Sequence, residues 1–253
     1  INEIKANNYV LPAIQREFVW KANQIERLFD SLMRGYPIGS FLFWKVQPHN
    51  LGEFQFYRFM DYYHERDHEH NQPINLAGGV QSVTAVLDGQ QRLTALNIGL
   101  RGWYADKLPY YRWSSDYAFP QRRLCLNLLT RPPEEEDLAY EFRMLRTDNG
   151  ETESITEEDK FWFPVEKVLS FERVSDPFNY CVRNRLTEEA NTVPSDMLLE
   201  LWHLVHEKAL INYFLEEEQD LDKVLNIFIR VNSGGTQLSY SDMLLSIATA
   251  QWR

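Results

Sequence analysis

Between Leu87 and Leu96 the chain reads LDGQQRLTAL. An acid, a glycine, two amides and an arginine fall where a short apolar run, VTAVL (83–87), gives way to helical spacing of Leu93, Leu96 and Leu100. A helix starting at such a point presents unpaired backbone N–H groups and a partial positive charge, which together hold an anion. Gly89 would let that anion reach the backbone closely. Arg92 lies in the first helical turn, where the helix dipole disfavours a cation; a phosphate opposite it would explain its position. Gln90 and Gln91 could orient a water or read a base edge, and Asp88 could hold Mg²⁺ through oxygen. The same residues admit a plain structural reading, with Asp88 as a helix cap and Arg92 as the partner of a surface acid.

Two further polar interruptions stand in apolar surroundings. Gln15 and Arg16 break the extended segment YVLPAIQREFVW (9–20), and Asn232, Ser233, Gly234 and Gly235 form a turn between two helical patterns. HERDHEH (64–70) places His64, His68 and His70 near Asp61, Glu65 and Asp67, a donor set for Zn²⁺ or Mn²⁺. Its polar surroundings favour a solvated loop over a metal site. His203 and His206 stand three apart on a helical pattern beside Trp202 and Val205, where packing is the simpler reading. Arg112, Arg122, Arg123 and Arg131 are interleaved with Tyr110, Tyr111 and Trp113, a mixture suited to phosphate contact and base stacking. Alternatively, these arginines balance the acidic run EEED.

The elements that must position these residues are legible as patterns. Ile25, Leu28, Phe29, Leu32 and Met33 form one stripe of a helix over 21–34, stopped by Gly35 and Pro37. GSFLFWKV (39–46) and FQFYRF (54–59) read as strands, 61–82 as a surface loop, and 83–87 as a buried strand. A helix is expected from Gly89 to about Tyr104, with Leu93, Leu96, Leu100 and Trp103 facing inward. RRLCLNLL (122–129) and AYEFRMLR (139–146) have strand character. Helical periodicity then covers 164–171, 175–187 and 195–208, ALINYFL (209–215) returns as a strand, and 221–232 is helical. Ser239 with Asp242 makes a capping box for a last helix. Trp20 and Trp44 are expected in the core. The whole reads as an α+β chain: an N-terminal α/β unit (1–105), then a strand insertion and a helix-rich part closing the cleft (106–253).

Composition excludes several classes. A net charge of −11 at pH 7 argues against a protein that coats nucleic acid non-specifically, because such binding needs many Lys and Arg to release phosphate counterions. Two cysteines make no disulfide framework and point to a reducing cytoplasm. No run of about 18 apolar residues is present, so no membrane partner is expected. A chain that starts at Ile1 and breaks off inside a helical pattern reads as a fragment of a longer polypeptide, with an effector domain expected elsewhere.

LPAIQREFVW, IERLFDSLMRGYPIGSFLFW, VLDGQQRLTAL and IFIRVNSGGTQLSYSDML occur in this order. As a set they resemble the N-terminal domain family of GmrSD-type restriction endonucleases, whose core is similar to the ParB/sulfiredoxin fold. That resemblance spans about residues 9 to 250, although 104–220 contribute little to it. It implies a nucleotide-binding and hydrolysing (NTPase) regulatory and DNA-sensing domain, joined in many members to a C-terminal HNH nuclease. Such systems act against phage DNA with modified bases or depend on phosphorothioates. It further implies that Asp88, Gln90, Gln91 and Arg92 form the catalytic motif. Gly89 and Arg92 match the GxxR phosphate motif of ParB-like nucleotidases. Gln15 and Arg16 would line the same cleft, and Asn232, Gly234 and Gly235 would close it. A nucleoside triphosphate with Mg²⁺ at Asp88, DNA with or without modified bases contacting Arg112, Arg122 and Arg123, and a nuclease partner follow as expectations, with room for an oligomer. Two departures limit the likeness. No Cys lies between 87 and 96, which excludes sulfiredoxin-type repair, and no GxxxxGK[ST] loop occurs. Nuclease activity is not expected of these residues alone. A non-catalytic module that binds DNA or a modified base and signals to a separate nuclease is the alternative.

Overall fold

The strand running from Ser40 to Val46 has apolar residues at successive positions because both of its faces are covered. A computed structural model of the chain describes residues 1–13, 17–76, 82–132, 137–146, 155–157, 159–187 and 192–232. Gln15, Arg16, Ser233, Gly234, Gly235 and the expected last helix with Ser239 and Asp242 lie outside these residues.

After a short helix α1 (Asn2–Lys5), strand β1 (Tyr9–Pro12) enters the first sheet. Helix α2 (Ala22–Met33) follows and buries Ile25, Leu28, Phe29, Leu32 and Met33, the stripe its spacing predicts. Next come β2 (Ser40–Val46), β3 (Phe56–Tyr57), β4 (Tyr63–His64), β5 (Pro73–Ile74), β6 (Val83–Asp88) and α3 (Gln90–Arg101). The first sheet has the order β12-β2-β6-β1-β3-β5, where β12 (Asn212–Glu216) comes from late in the chain and lies parallel to β2. Strand β1 runs parallel to β6, while β2 is antiparallel to it. Phe41 and Phe43 of β2 face the core built by α2 and α3. Leu42, Trp44 and Val46 face the opposite core, covered by Val224 and Phe228 of α6 (Leu221–Asn232).

The second sheet runs β10-β11-β8-β7-β4, with β9 also on β8. Its strands are β7 (Tyr104–Ala105), β8 (Arg122–Asn127), β9 (Phe142–Arg146), β10 (Ile155–Glu157) and β11 (Lys160–Pro164). A 3-10 turn (Val165–Ser170), α4 (Asp176–Arg183) and α5 (Val193–His206) complete the helical part. The architecture is therefore α+β, with two mixed sheets. Strands from either side of residue 105 share both sheets, since β12 joins β2 and β7 joins β8.

Three expectations are corrected. The strand over 54–59 shrinks to Phe56–Tyr57. The segment 61–82 is more than a surface loop, because β4 and β5 lie within it and Tyr62 stacks between His68 and Trp103 at 4.1 and 4.4 Å. Helix α3 stops at Arg101, and Tyr104 belongs to β7, where Arg122 pairs with it. Gly102 interrupts the helix, and Trp103 is placed by ring stacking, not by helical periodicity.

Close approach of α2 and α3 depends on Gly99. A Cβ there would lie 2.5 Å from the Phe29 ring and 3.1 Å from Leu124. Helix propensity alone would favour alanine by about 1 kcal/mol. Overpacking of a filled core costs about 1–3 kcal/mol and should win. Gly99→Ala is therefore expected to lower the urea midpoint of unfolding; a midpoint raised above that of the parent chain would show that the helices separate without loss.

Candidate functional site

Strand β6 ends at Asp88 and helix α3 begins at Gln90, so the residue between them must turn the chain sharply. Gly89 does so at φ +92°, in the left-handed region that favours glycine. The turn leaves no room for a side chain, because a Cβ on Gly89 would strike the Phe41 ring. The β2–β6 register slips between Leu42 and Phe43: Leu42 faces Asp88 but Phe43 faces Val86. This bulge gives β6 one extra residue and re-aims its end, a recurrent device beside functional sites.

Arg92 packs back over this turn. Its guanidinium donates to the carbonyls of Ile38 (2.5 Å) and Ser40 (3.0 Å) and to Asp88 Oδ2 (3.1 Å). It also sits 4.4 Å from the centre of the Phe41 ring. Its side chain is only 20% exposed. Arg92 thus has an internal explanation for its place in the first turn: main-chain oxygens and a carboxylate offset the unfavourable helix dipole. Asp88 acts as its partner and is not the helix cap, since the N-cap position is held by Gly89, which has no side chain to cap with. The Asp88 side chain is 31% exposed and uses Oδ2 for the Arg92 bond.

Gln91 does different work. Its Oε1 accepts from the Val19 N–H (3.0 Å), and its Nε2 donates to the Glu17 carbonyl (2.7 Å). One amide side chain therefore mimics a strand neighbour and holds the 17–19 backbone against α3. Nothing in the sequence marks this clamp, whose partners are 72 residues apart.

Gln90 is buried and lines a polar cavity of about 310 Å³ with Leu11, Pro12, Ala13, Tyr57 and Asn71. Glu17 and His70 complete the lining and form an ion pair with each other. Ala13 and Glu17 flank the segment holding Gln15 and Arg16, so both ends of that segment meet Gln90 at one cavity. Asn232 ends α6, whose Val224 and Phe228 cover the opposite face of the sheet.

The remaining candidates separate from this site. Arg122 and Arg123 pair with Asp106 and Glu166, and each side chain is only 19% exposed. Arg112 is exposed, close in sequence to the exposed rings of Tyr110, Tyr111, Trp113 and Tyr117. Arg131 lies over Tyr140. In the histidine-rich segment the three rings diverge: His64 packs on Phe119, His68 on Tyr62, and His70 reaches Glu17. Among the described residues no group of three or more His, Cys, Asp or Glu side chains could hold a metal ion. His203 pairs with Glu207, and His206 stacks on Trp202.

Two outcomes test this geometry. Gln91→Ala removes the acceptor of the Val19 amide, which should then exchange with solvent much faster than in the parent chain; unchanged exchange would mean that the clamp does not form in solution. The Glu17 hydrogen bond and charge raise the His70 pKa above its ordinary 6.5. Such a raised pKa stabilises the pair fully below 6.5, and the contribution is lost as pH rises through the folded-state value. In an NMR titration the His70 midpoint should fall on Glu17→Gln, and an unmoved midpoint would remove Glu17 as the cause.

Comparison with known proteins agrees with the motifs. Residues 1–249 match the model of the GmrSD restriction endonuclease N-terminal domain. The uncharacterized protein MJ0686 of Methanocaldococcus jannaschii is 28% identical over 244 residues, which is 93% of this chain and 38% of that protein. The chain thus spans well under half the length of this curated relative. With the family model covering nearly every residue, including the Asp88–Arg92 turn and its clamped neighbours, the chain belongs to the GmrSD restriction endonuclease N-terminal domain family.

Proposed function

We propose that the polar cavity at the β6–α3 turn binds a nucleoside triphosphate and that the domain hydrolyses it as part of a restriction or phage-defence system. The observation that carries this reading is the meeting of Gln90, Ala13 and Glu17 at one cavity beside the Gly89 helix start. Phosphate oxygens would lie against the first N–H groups of α3, within the positive end of its dipole. Gln90, whose side chain lines the cavity, would orient the attacking water, and Arg16 would neutralise phosphate charge. Arg92 would act by holding the turn and Asp88 in place. Mg²⁺, if bound, would be held by Asp88 together with phosphate oxygens, which suits an ion that needs only one or two carboxylates, and would supply charge neutralisation. Hydrolysis would proceed by positioning and electrostatics without a covalent enzyme intermediate.

The core around β1, β6 and β2 would correspond to a ParB/sulfiredoxin-like unit. Exposed Arg112 and its neighbouring rings would be the DNA contact, and an HNH nuclease the effector that receives the signal. A second reading, a non-catalytic module that binds modified DNA, gains weight from one observation. Gln91 and Arg92 both use their side chains on main-chain contacts, which leaves fewer groups for chemistry.

Phosphate release from GTP, ATP, CTP and UTP with Mg²⁺ separates the two. Turnover that falls at least about tenfold in Gln90→Ala and in Asp88→Ala supports hydrolysis, a loss equal to about 1.4 kcal/mol of transition-state stabilisation. Saturable nucleotide binding without turnover leaves a nucleotide sensor. Modified-DNA binding with neither would move the assignment to the second reading.

A further inference from the structure

A second cavity of about 610 Å³ opens between α2, α3, the 3-10 turn, α5 and the segment leading to β12. Its walls are the buried side chains of Phe29, Leu32, Leu96, Leu100 and Leu204. Three side chains with cationic or titratable nitrogen also line it, those of Arg101, His206 and Lys208. No carboxylate side chain lines it, although the chain carries 37 acids against 26 Lys and Arg. That asymmetry runs against the charge of the whole molecule.

The three nitrogens are not equivalent. Lys208 is ion-paired to Glu200, and His206 Nε2 meets the Val168 carbonyl at 2.9 Å. Arg101 is half-buried at the end of α3 and, among the described residues, its guanidinium has no hydrogen-bond or ion-pair partner. A half-buried guanidinium with no anion beside it, at the edge of an apolar cavity, is a receptor for an amphipathic anion.

We propose that this cavity binds a small alkyl carboxylate, with its head on Arg101 and its chain between α2 and α3. A peptide segment fits less well, because its buried N–H and C=O groups would find no partners among the wall side chains. An alkyl chain brings no such groups. The inference does not rest on the nucleotide reading, since none of these residues touches the polar cavity.

Isothermal titration of the 253-residue chain with dodecanoate below its micellar concentration tests it. Dodecyltrimethylammonium, with the same chain and the opposite charge, is the control. Saturable one-to-one dodecanoate binding is expected, at least about tenfold tighter than the ammonium. Arg101→Gln should weaken it by a similar factor, while Arg173→Gln, at an exposed position outside the lining, should leave it unchanged. Leu169→Trp or Ile211→Trp, each at an exposed position on the rim, should block the cavity without lowering the melting temperature. Absence of saturable dodecanoate binding, equal binding of both amphiphiles, or binding indifferent to Arg101→Gln would each overturn the proposal.

Discussion

Everything near the candidate site depends on keeping the Arg92 guanidinium partnered beneath the surface. A buried charge without partners costs far more than a domain can supply, so its donors must be matched. The carbonyls of Ile38 and Ser40, the Asp88 carboxylate and the face of Phe41 together do this. Ile38 and Ser40 lie at the entry to β2, Asp88 ends β6, and Arg92 belongs to α3. One side chain therefore fixes the relative placement of two strands and a helix. The left-handed Gly89 is part of the same knot, because the Phe41 ring that receives Arg92 occupies the space where a Cβ would stand.

The knot holds because β2 is itself anchored on both faces and at its outer edge. Alternate residues enter two cores, and β12 closes the edge through parallel pairing from Asn212–Ser40 to Glu216–Trp44. Gln219 adds side-chain bonds to the backbone of Lys45 and Gln47, and Trp44 Nε1 donates to the Glu218 carbonyl. Parallel pairing with a strand so distant in sequence requires long-range closure. The strand that receives the Arg92 contacts is therefore supported on its outer edge by residues from late in the chain.

What could be read from the sequence follows from the range of the interactions involved. Stripes such as Ile25 to Met33, and the apolar run ahead of Asp88, report local burial and give α2, β6 and α3 directly. The strand-to-helix turn with glycine at its corner was equally legible, because the backbone there needs a positive φ. Partners distant in the chain were not. Gln91 looked like a group for water or a base, and its bonds to Val19 and Glu17 appear only in three dimensions. Arg122 and Arg123 looked available for phosphate, but Asp106 and Glu166 neutralise them. Trp103 fitted a helical period by coincidence, and ring stacking on Tyr62 accounts for it.

The motif therefore divides its labour along the turn. Gly89 and Arg92 make the corner, Gln91 binds the neighbouring extended segment, and Gln90 is the residue whose side chain lines the polar cavity. A helix repeats every 3.6 residues, so adjacent side chains must point in different directions. Consecutive Gln90 and Gln91 cannot share one task on a single face, and the geometry gives them two. The amide chemistry suits both, since an amide offers a donor and an acceptor without charge. At position 91 that pair matches a backbone N–H and C=O, as a strand neighbour would. Gln90 is instead buried at the wall of the polar cavity. A carboxylate at position 91 would supply acceptors alone and lose the donor that holds the Glu17 carbonyl, so the clamp requires an amide there.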